Sequence, residues 1–561
     1  MIGPEKRNRL LATCLALATA CAPDSGAPVG LVLVGGSVHP GDGSEPVVAD
    51  VAISGDRIVQ VGPDVEAPEG AEVVDVSGLV VAPGFIDAHS HAELGEAWGR
   101  DAQAFLTQGI TTVALGLDGG GTWEVAHRLD SWEAEGIGVN AFTFVGHNDI
   151  RREVMGLDDR SPTEDELGRM KALVRQGMEE GAFGLSTGLF YTPGYYASTE
   201  EVVELARVAA EWEGAIYDTH DRDLGATYQG IGYDASVTEA IRIGEESGLR
   251  VIFSHFNPQG ATNYGRAPVG AEMIEEARAR GVEVAAAHHP YTATQSNLRS
   301  YALPRWASAG GTEAVLQRFA DPDTAAILEV QIMESLAMRG GPEQIMIVDE
   351  EPALNGRTLA ELAEEWGLSV PATVHRVVRE YGNASVMNLG LYDIENIRYL
   401  ATMPWMMTCT DGRTPAEGQD VVHPRVYGAF PRKMRMLALD DDVLTVPFVI
   451  RSFSGLAADF FGLADRGYLE PGKRADVAVL DLDAYRDVAT MRDPHHFSEG
   501  VVHLLVNGAW AIRDGEFLGT LAGRALRAPW QHTDSTEVSA GTSDSGADGS
   551  GSGASGSGAS G

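Results

Sequence analysis

The chain has 561 residues, and 41 lysines and arginines stand against 81 aspartates and glutamates, for a formal net charge of −40 at pH 7. A surface this acidic repels phosphate backbones, which excludes nucleic acid as a partner bound by charge neutralisation. Hydrophobic residues make up 44% of the chain and charged residues 22%, an ordinary globular composition that also excludes extensive disorder.

The N-terminal segment has the pattern of an export signal. Three cations within the first nine residues precede the apolar run 10–20, which is too short to span a bilayer but long enough for a signal-peptide core. The run ends in an A-T-A-C motif at Cys21, which resembles a bacterial lipobox. We therefore expect a signal peptide over 1–20, a linker over 21–29 that begins with a lipidated Cys21, and a lipoprotein of the bacterial cell envelope, periplasmic or anchored in the outer membrane. Ordinary signal cleavage, with an incidental cysteine, is the alternative.

Two β-rich stretches near the two ends of the chain predict one small domain. Residues 30–76 contain short valine-rich runs separated by glycine and proline, a pattern typical of hairpins. Similar runs recur at 476–481 and 501–506. We expect a small β-sandwich assembled from residues 30–80 and 465–525.

The middle of the chain alternates buried strands with amphipathic helices. Such alternation predicts a (β/α)8 barrel over residues 81–464. One of its helices is expected over 199–212, where Ser198 and Glu201 have the spacing of a capping box. Residues 311–400 make an oversized connection between the seventh and eighth strands, which we expect to be an inserted helical subdomain. The eight expected strands are 80–89, 111–116, 141–147, 182–189, 215–220, 251–255, 282–288 and 405–411.

The C-terminal segment 533–561 consists almost entirely of serine, glycine, alanine, aspartate and threonine. With so little to bury, it is expected to be a disordered tail. The sequence thus predicts an α/β protein: a TIM-type (β/α)8 barrel, a small β-sandwich built from both chain ends, and an inserted helical subdomain.

Metal-ligand residue types occur at the ends of the expected barrel strands. His89 and His91 lie at the end of the first strand, two positions apart and therefore on one face. His220 ends the fifth strand, His255 the sixth and Asp411 the eighth. A single histidine at a strand end is more often structural, but five such groups at one rim of a barrel predict a metal centre. Histidine and aspartate suit zinc, and a metal-activated water is a hydrolytic nucleophile.

Longer motifs extend over most of the chain, from about residue 30 to 520. They include V-A-P-G-F-I-D-A-H-S-H at 81–91, G-A-F-G-L-S-T-G-L at 181–189, T-H-x-R-D at 219–223, H-P-R-V-Y-G-A-F-P-R at 423–432 and S-E-G-V-V-H-L-L-V-N-G at 498–508. With these motifs the chain resembles the N-acyl-D-amino-acid deacylase (D-aminoacylase) family of the amidohydrolase superfamily. The resemblance implies a barrel with a small β-sandwich, a centre of one or two zinc ions, and hydrolysis of an amide on a D-amino acid.

Two departures from the family pattern affect the expected site. The family usually has a cysteine ligand after the second strand, and this chain has Asp118 there. A carboxylate can ligate or bridge zinc, but it is a harder ligand than a thiolate and can admit other divalent metals. The family also tends to have a lysine two residues after the position of His255, and this chain has Asn257. A positive charge near the substrate is therefore expected to be missing.

These positions give a mechanistic hypothesis. The metal ligands are His220, His255 and Asp118, with His89 and His91 completing a second, weaker site or shaping the first. Asp411 is expected to take a proton from the attacking water and deliver it to the leaving amine.

The expected substrate contacts are Arg425, Tyr291 and Asn257. The planar guanidinium of Arg425 suits a substrate carboxylate, and Tyr291 can hydrogen-bond the same group. With Asn257 in place of a cation, we expect neutral or hydrophobic N-acyl-D-amino acids, or peptides with D-residues, to be preferred over N-acyl-D-aspartate and N-acyl-D-glutamate. The alternative is that Arg222 or Arg299 supplies the missing charge.

Other functions stay open at this point. The nearest is another amidase of the superfamily that acts on cyclic amides or small peptides. A non-catalytic, lipid-anchored binding protein and a structural envelope protein are less compatible with an intact set of metal ligands. For the hydrolase, the expected partner is a small-molecule N-acyl amino acid or peptide substrate, and membrane contact is expected only through the lipid anchor.

Overall fold

The structure, a computed structural model, describes residues 28–416 and 421–533. The expected signal peptide, Cys21 and nearly all of the expected C-terminal tail lie outside the described residues. Within the described ranges, no helix combines the length and apolar character that crossing a membrane requires.

Nine strands from both ends of the chain form one sheet beside the barrel. The two sets of strands join where Val80–Pro83 pairs antiparallel with Val477–Leu480. Alternate residues of these strands, such as Leu33, Val51 and Leu505, are buried in one shared apolar core. The strands are Leu31–Val38, Val47–Ser54, Arg57–Gly62, Glu72–Asp75, Val80–Pro83, Val477–Leu480, Val501–Val506, Ala509–Arg513 and Glu516–Phe517.

Eight parallel strands form the barrel. In chain order they are Phe85–Asp87, Ile110–Leu115, the interrupted strand Asn140–Thr143 with Val145–Gly146, Gly184–Gly188, Ile216–His220, Arg250–Phe253, Val284–His288 and Met406–Thr408. Each strand pairs with the next. The barrel closes where the Ala88 amide donates to the Thr408 carbonyl at 3.3 Å. The fold class predicted from the sequence is confirmed.

The inside of the barrel is filled by apolar side chains. Ile86, Phe142 and Ile252 belong to this interior cluster, and helix Gly455–Phe461 packs its apolar side chains into it. The ring of Phe461 lies 5.0 Å from that of Phe142, measured between centroids. Because the interior is packed, chemistry is confined to the carboxyl ends of the strands, where loops leave room for a substrate.

Amphipathic helices surround the barrel. They are Gln103–Leu106, Val125–Glu135, His147–Met155, Glu164–Glu179, Thr199–Ala209, Tyr233–Ser247, Ala267–Ala279, Ile394–Ala401, Arg425–Met434 and Val446–Phe453. Helix Thr199–Ala209 ends before residue 212, because Trp212–Glu213 pairs as a short strand with Gln531–His532.

The inserted subdomain lies between the seventh and eighth barrel strands and has its own apolar core. It is mainly helical, and it also contains a three-stranded antiparallel sheet that begins before residue 311. The sheet consists of Thr294–Asn297, Ile345–Ile347 and Ser385–Asn388, and the helices are Leu298–Ala302, Gly311–Ala320, Pro322–Met338, Leu359–Trp366 and Val370–Tyr381. The strand T-Q-S-N has no apolar alternation, so sequence periodicity does not reveal it.

Candidate metal centre

Six side chains from the ends of five barrel strands converge at the rim, and the carboxylate of Asp118 lies at their centre. Its Oδ1 is 3.4 Å from His220 Nδ1, 3.5 Å from His255 Nε2 and 3.6 Å from His89 Nε2. Its Oδ2 is 3.4 Å from His91 Nε2. One oxygen of this carboxylate therefore faces His220, His255 and His89, and the other faces His91.

The carboxylate of Asp411 lies beside His91 and His89. Its Oδ1 lies 3.3 Å from His91 Nε2 and 3.8 Å from His89 Nε2, while its Oδ2 lies 2.5 Å from Arg425 Nη1. The rim thus holds one set of ligands made of His220, His255 and Asp118. A second set, His89, His91 and Asp411, shares Asp118 with the first.

This arrangement fits a metal ion. His89, Asp118, His255 and Asp411 each offer a ligand atom, and these atoms all lie within 4.8 Å of one another. Bonds of about 2.1 Å in a tetrahedral site would place ligand atoms about 3.4 Å apart, close to the observed spacing. Among the described residues, buried Asp118 Oδ1 and His220 Nδ1 have no hydrogen-bond partner, so their lone pairs are available. The donor atoms are all nitrogen and oxygen, a set that suits zinc and also admits harder divalent metals.

The electrostatics of the centre favour a cation. Burial raises the pKa of Asp118, but the electrostatic influence of the neighbouring histidines, His89 first, outweighs burial and holds this pKa well below its usual value. Burial also raises the pKa of Asp411, but Arg425 and the neighbouring histidines together more than reverse the effect, so this carboxyl too stays ionised. Burial lowers the pKa of His91, but the two carboxylates raise it to about 9. A field that holds protons on an imidazole attracts a divalent ion in the same way.

Three of the site residues have a left-handed backbone conformation, which residues other than glycine rarely adopt. The φ angles are 54° at Asp118, 31° at His255 and 47° at Asp411. Each such residue costs of the order of 1–3 kcal/mol, and the cost persists only where the surrounding structure imposes the conformation. At these three residues the strained backbone lies just beyond a barrel strand and turns the side chains towards one point.

The turn that carries Asp118 is held against the fourth strand. The Gly119 amide donates to Ser186 Oγ at 3.0 Å, and this hydroxyl donates to the buried Asp218 carboxylate at 2.7 Å. A Cβ atom at Gly188 would lie 2.1 Å from the Asp118 carbonyl oxygen. Glycine at this position allows the close approach that brings Asp118 to the centre.

Two histidines hold Arg425 beside Asp411. His423 accepts the Arg425 backbone N–H at Nδ1, 3.1 Å away, and its Nε2 lies 3.1 Å from the Ala293 carbonyl, so Nε2 carries the proton. Arg425 Nη1 donates to His289 Nε2 at 3.1 Å. Burial, and then the charge of Arg425, lower the pKa of both imidazoles well below the usual value. Both rings are therefore neutral supports for the guanidinium.

A cavity of about 730 Å³ opens onto the centre. Asp411, Arg425 and Tyr191 line it on the barrel side, and the inserted subdomain covers it with Gln295, Ser296, Asn297, Asp349, Glu350, Asn383 and Ser385. The ring centroid of Tyr191 lies 4.6 Å from that of His220. Sequence reasoning missed Tyr191, because it follows the fourth strand by three residues and is not a metal-ligand type.

A second cavity of about 350 Å³ adjoins the first and shares Asp118 and Tyr191 with it. Arg152 and Arg299 line this chamber. Arg152 pairs with Asp149, whereas Arg299 donates to the hydroxyl of Thr312 at 3.2 Å. The alternative sources of the missing charge are Arg222 and Arg299. Of these two, Arg299 lines this second cavity.

The structure does not bring every expected substrate residue to the site. Tyr291 lies outside both cavities, with its ring 5.4 Å from that of His423 and under the guanidinium of Arg432 at 4.8 Å. Asn257 is buried with 1% exposure and lines neither cavity. Arg222 is committed to a buried ion pair with Glu239 at 2.8 Å.

Comparison with known proteins gives a consistent picture. Residues 72–511 match the amidohydrolase family. The D-aminoacylase of Alcaligenes xylosoxydans xylosoxydans is 33% identical over 522 residues, which cover 89% of this chain and 98% of that protein. The N-acyl-D-glutamate deacylase of the same organism is 30% identical over 500 residues, covering 85% and 92%.

A similar solved structure is the N-acyl-D-glutamate deacylase of Bordetella bronchiseptica, complexed with zinc and a phosphonate inhibitor that mimics the tetrahedral intermediate of its reaction. It is 28% identical with a TM-score of 0.75, and the match covers 89% of this chain and all of that one. These similarities confirm the resemblance inferred from the sequence motifs.

Proposed function

The chain belongs to the amidohydrolase family, and we propose that it is a metal-dependent hydrolase that cleaves N-acyl-D-amino acids into a carboxylic acid and a free D-amino acid. One observation carries the proposal: four histidines and Asp411 converge around Asp118 beside a cavity that also presents Arg425. The zinc named for the related deacylase structure supports the choice of metal.

The residues of the site have different roles in hydrolysis. Zinc held by His220, His255 and Asp118 would polarise the scissile carbonyl and make water a better nucleophile at neutral pH. Asp411 accepts a proton from the attacking water at a carboxylate oxygen. It then donates that proton to the amide nitrogen as the C–N bond breaks, so the amine leaves neutral.

Arg425 orients the substrate. In an N-acyl amino acid the α-carboxylate and the amide nitrogen are attached to the same carbon. A carboxylate bound by Arg425 therefore places the leaving nitrogen close to Asp411, which lies 2.5 Å from the same guanidinium. The buried, planar guanidinium can contact both the substrate carboxylate and Asp411 through different N–H groups.

The preferred substrate side chain is proposed to be neutral or hydrophobic, because the overall charge of −40 disfavours a second anionic group. We expect kcat/KM to be higher for N-acetyl-D-methionine and N-acetyl-D-phenylalanine than for N-acetyl-D-glutamate, with little turnover of the L-enantiomers. Steady-state kinetics on the six compounds test this.

The same panel separates the proposals. Equal rates on the L-forms, or no hydrolysis of any D-form by the zinc-loaded protein, would contradict the proposed function. A preference for the glutamate derivative would contradict only the side-chain preference. Repeating the panel with Arg299→Met then shows whether Arg299 provides the charge, since this variant should lose such a preference.

We also propose that the protein is a lipoprotein of the cell envelope, supported by the cationic N-terminus and the A-T-A-C motif at Cys21. Cys21→Ser should move the protein from the membrane fraction to the soluble fraction, because the acylated thiol is lost. Cys14→Ser is the matched control, since this cysteine leaves with the signal peptide. If Cys21→Ser stays in the membrane fraction, the lipid anchor is ruled out.

A further inference from the structure

Two buried arginines behind the metal centre lack a counter-ion. Arg305 begins the short 3-10 helix Arg305–Ser308 and is 8% exposed, and Arg339 follows helix Pro322–Met338 and is 2% exposed. Within residues 28–416 and 421–533, no carboxylate lies within ion-pair distance of either. The four other buried arginines each have one at 2.9 Å or less: Arg151 with Glu201, Arg222 with Glu239, Arg425 with Asp411 and Arg466 with Asp476.

Both guanidinium groups also have N–H groups without acceptors. Nε and Nη2 of Arg305, and Nε and Nη1 of Arg339, are buried and have no hydrogen-bond partner among the described residues. A guanidinium stays charged in proteins, so it cannot avoid the cost of burying a charge by losing a proton. Burying a charge without a partner is strongly unfavourable, and such groups are normally paired or hydrogen-bonded.

Both guanidinium groups lie against the ring of Phe190. The Cζ atoms of Arg305 and Arg339 lie 4.1 Å and 5.6 Å from the centre of the Phe190 ring. Arg339 also lies 4.0 Å over the Tyr301 ring. Stacking on rings uses the faces of the guanidinium planes and leaves the in-plane N–H groups to bind an acceptor. Burial, and then the charge of Arg339, lower the pKa of Arg305 to about 10, as expected for neighbouring cations.

One carboxylate, Asp223, acts electrostatically on both arginines. Its oxygens accept the backbone N–H groups of Gly225 and Gly232, each at 2.8 Å, and it forms no ion pair with either guanidinium. Asp223 is thus a nearby carboxylate that neither guanidinium contacts, and the buried N–H groups of both arginines still need an anionic acceptor.

We propose that Arg305 and Arg339 together bind a small monovalent inorganic anion, of the size and chemistry of chloride. The unpaired, buried N–H groups call for an anionic acceptor, and a small spherical anion accepts N–H groups from any direction. Neither arginine lines the substrate cavity or the chamber beside it, so an N-acyl amino acid does not reach this site. The site is separated from the metal ligand His220 by one ring, since Phe190 stacks on that imidazole with centroids 5.1 Å apart.

Thermal unfolding of the metal-loaded protein tests the proposal. The unfolding midpoint is measured in chloride and in gluconate at the same ionic strength. A ligand that binds the folded state raises the midpoint, here by about 1–2 °C at tenfold excess over its dissociation constant. Arg305→Met and Arg339→Met should lose this dependence. Arg376→Met is the matched control, because Arg376 also stacks on a ring, that of Trp366 at 4.0 Å, but is paired with Glu380.

Bromide gives a second readout that needs no variant. Crystals of the wild-type protein grown in bromide should show an anomalous peak within hydrogen-bond distance of both guanidinium groups. No peak there, a wild-type midpoint that is the same in chloride and gluconate, or an undiminished chloride effect in both arginine variants would overturn the proposal. The result does not depend on the proposed activity.

Discussion

Replacing Asp411 by asparagine should lower kcat/KM by about 10²–10⁴-fold, the usual contribution of a positioned general base. The amide has nearly the shape of the carboxylate but cannot take the proton of the attacking water. At least one zinc per chain should remain bound, since its ligands Asp118, His220 and His255 stay in place. Steady-state kinetics on an N-acyl-D-amino acid, with elemental analysis of the same preparation, measure both quantities.

Asp514→Asn is the matched control for this change, because the Asp514 side chain is 79% exposed and far from the rim in the fold. It should retain wild-type activity. The Asp411 variant also removes the carboxylate partner of buried Arg425, so its thermal unfolding must be recorded to show that the protein is folded. A folded, metal-loaded Asp411→Asn protein with near wild-type turnover would rule out the assigned role.

Asp118→Ala should greatly weaken metal binding. This residue provides the carboxylate that both groups of histidines face, and losing a direct ligand should weaken zinc binding by more than the roughly 10–100-fold typical of residues one contact further out. Competition with a chromophoric chelator measures the affinity without reference to activity. Hydrolysis should fall in parallel with zinc occupancy.

Asp118→Cys serves as the conservative variant, because a thiolate is a good zinc ligand and should preserve binding that alanine abolishes. Affinity for zinc in the wild-type protein should also fall in acid, since both carboxylates and imidazoles must be deprotonated to ligate. Unchanged zinc affinity in Asp118→Ala would contradict the central position of this carboxylate. A metal-free wild-type protein with full activity would contradict the metal-dependent mechanism altogether.

The strand ends were the most informative feature of the sequence. Parallel strands bring their carboxyl ends to one rim, so His89, His220, His255 and Asp411 could be expected to meet without knowledge of any contact. In the structure these side chains do converge around one point. Asp118 entered the expected set through the family resemblance, because it lies in a turn beyond its strand and no periodicity points to it.

Contacts between distant segments could not be predicted in the same way. Ser198 does accept the backbone N–H of Glu201 at 3.2 Å, as its spacing predicts. The Glu201 carboxylate, however, does not return to cap the helix but pairs with Arg151 Nη1 at 2.9 Å. The buried guanidinium from another helix is a stronger partner for a carboxylate than a helix-end amide. Tyr291 likewise turns towards Arg432 rather than towards the substrate cavity.

The order of strands and helices, the rim at which the ligands lie and the family can all be predicted from local sequence, because periodicity and motifs are properties of short segments. Which side chains lie together depends on tertiary packing. Examples are Arg425 with Asp411, Tyr191 beside His220, and Arg305 with Arg339 around Phe190. These pairs join residues that are far apart in the chain or on different loops. Their distances depend on how helices and the inserted subdomain pack on the barrel, and local sequence does not encode that packing.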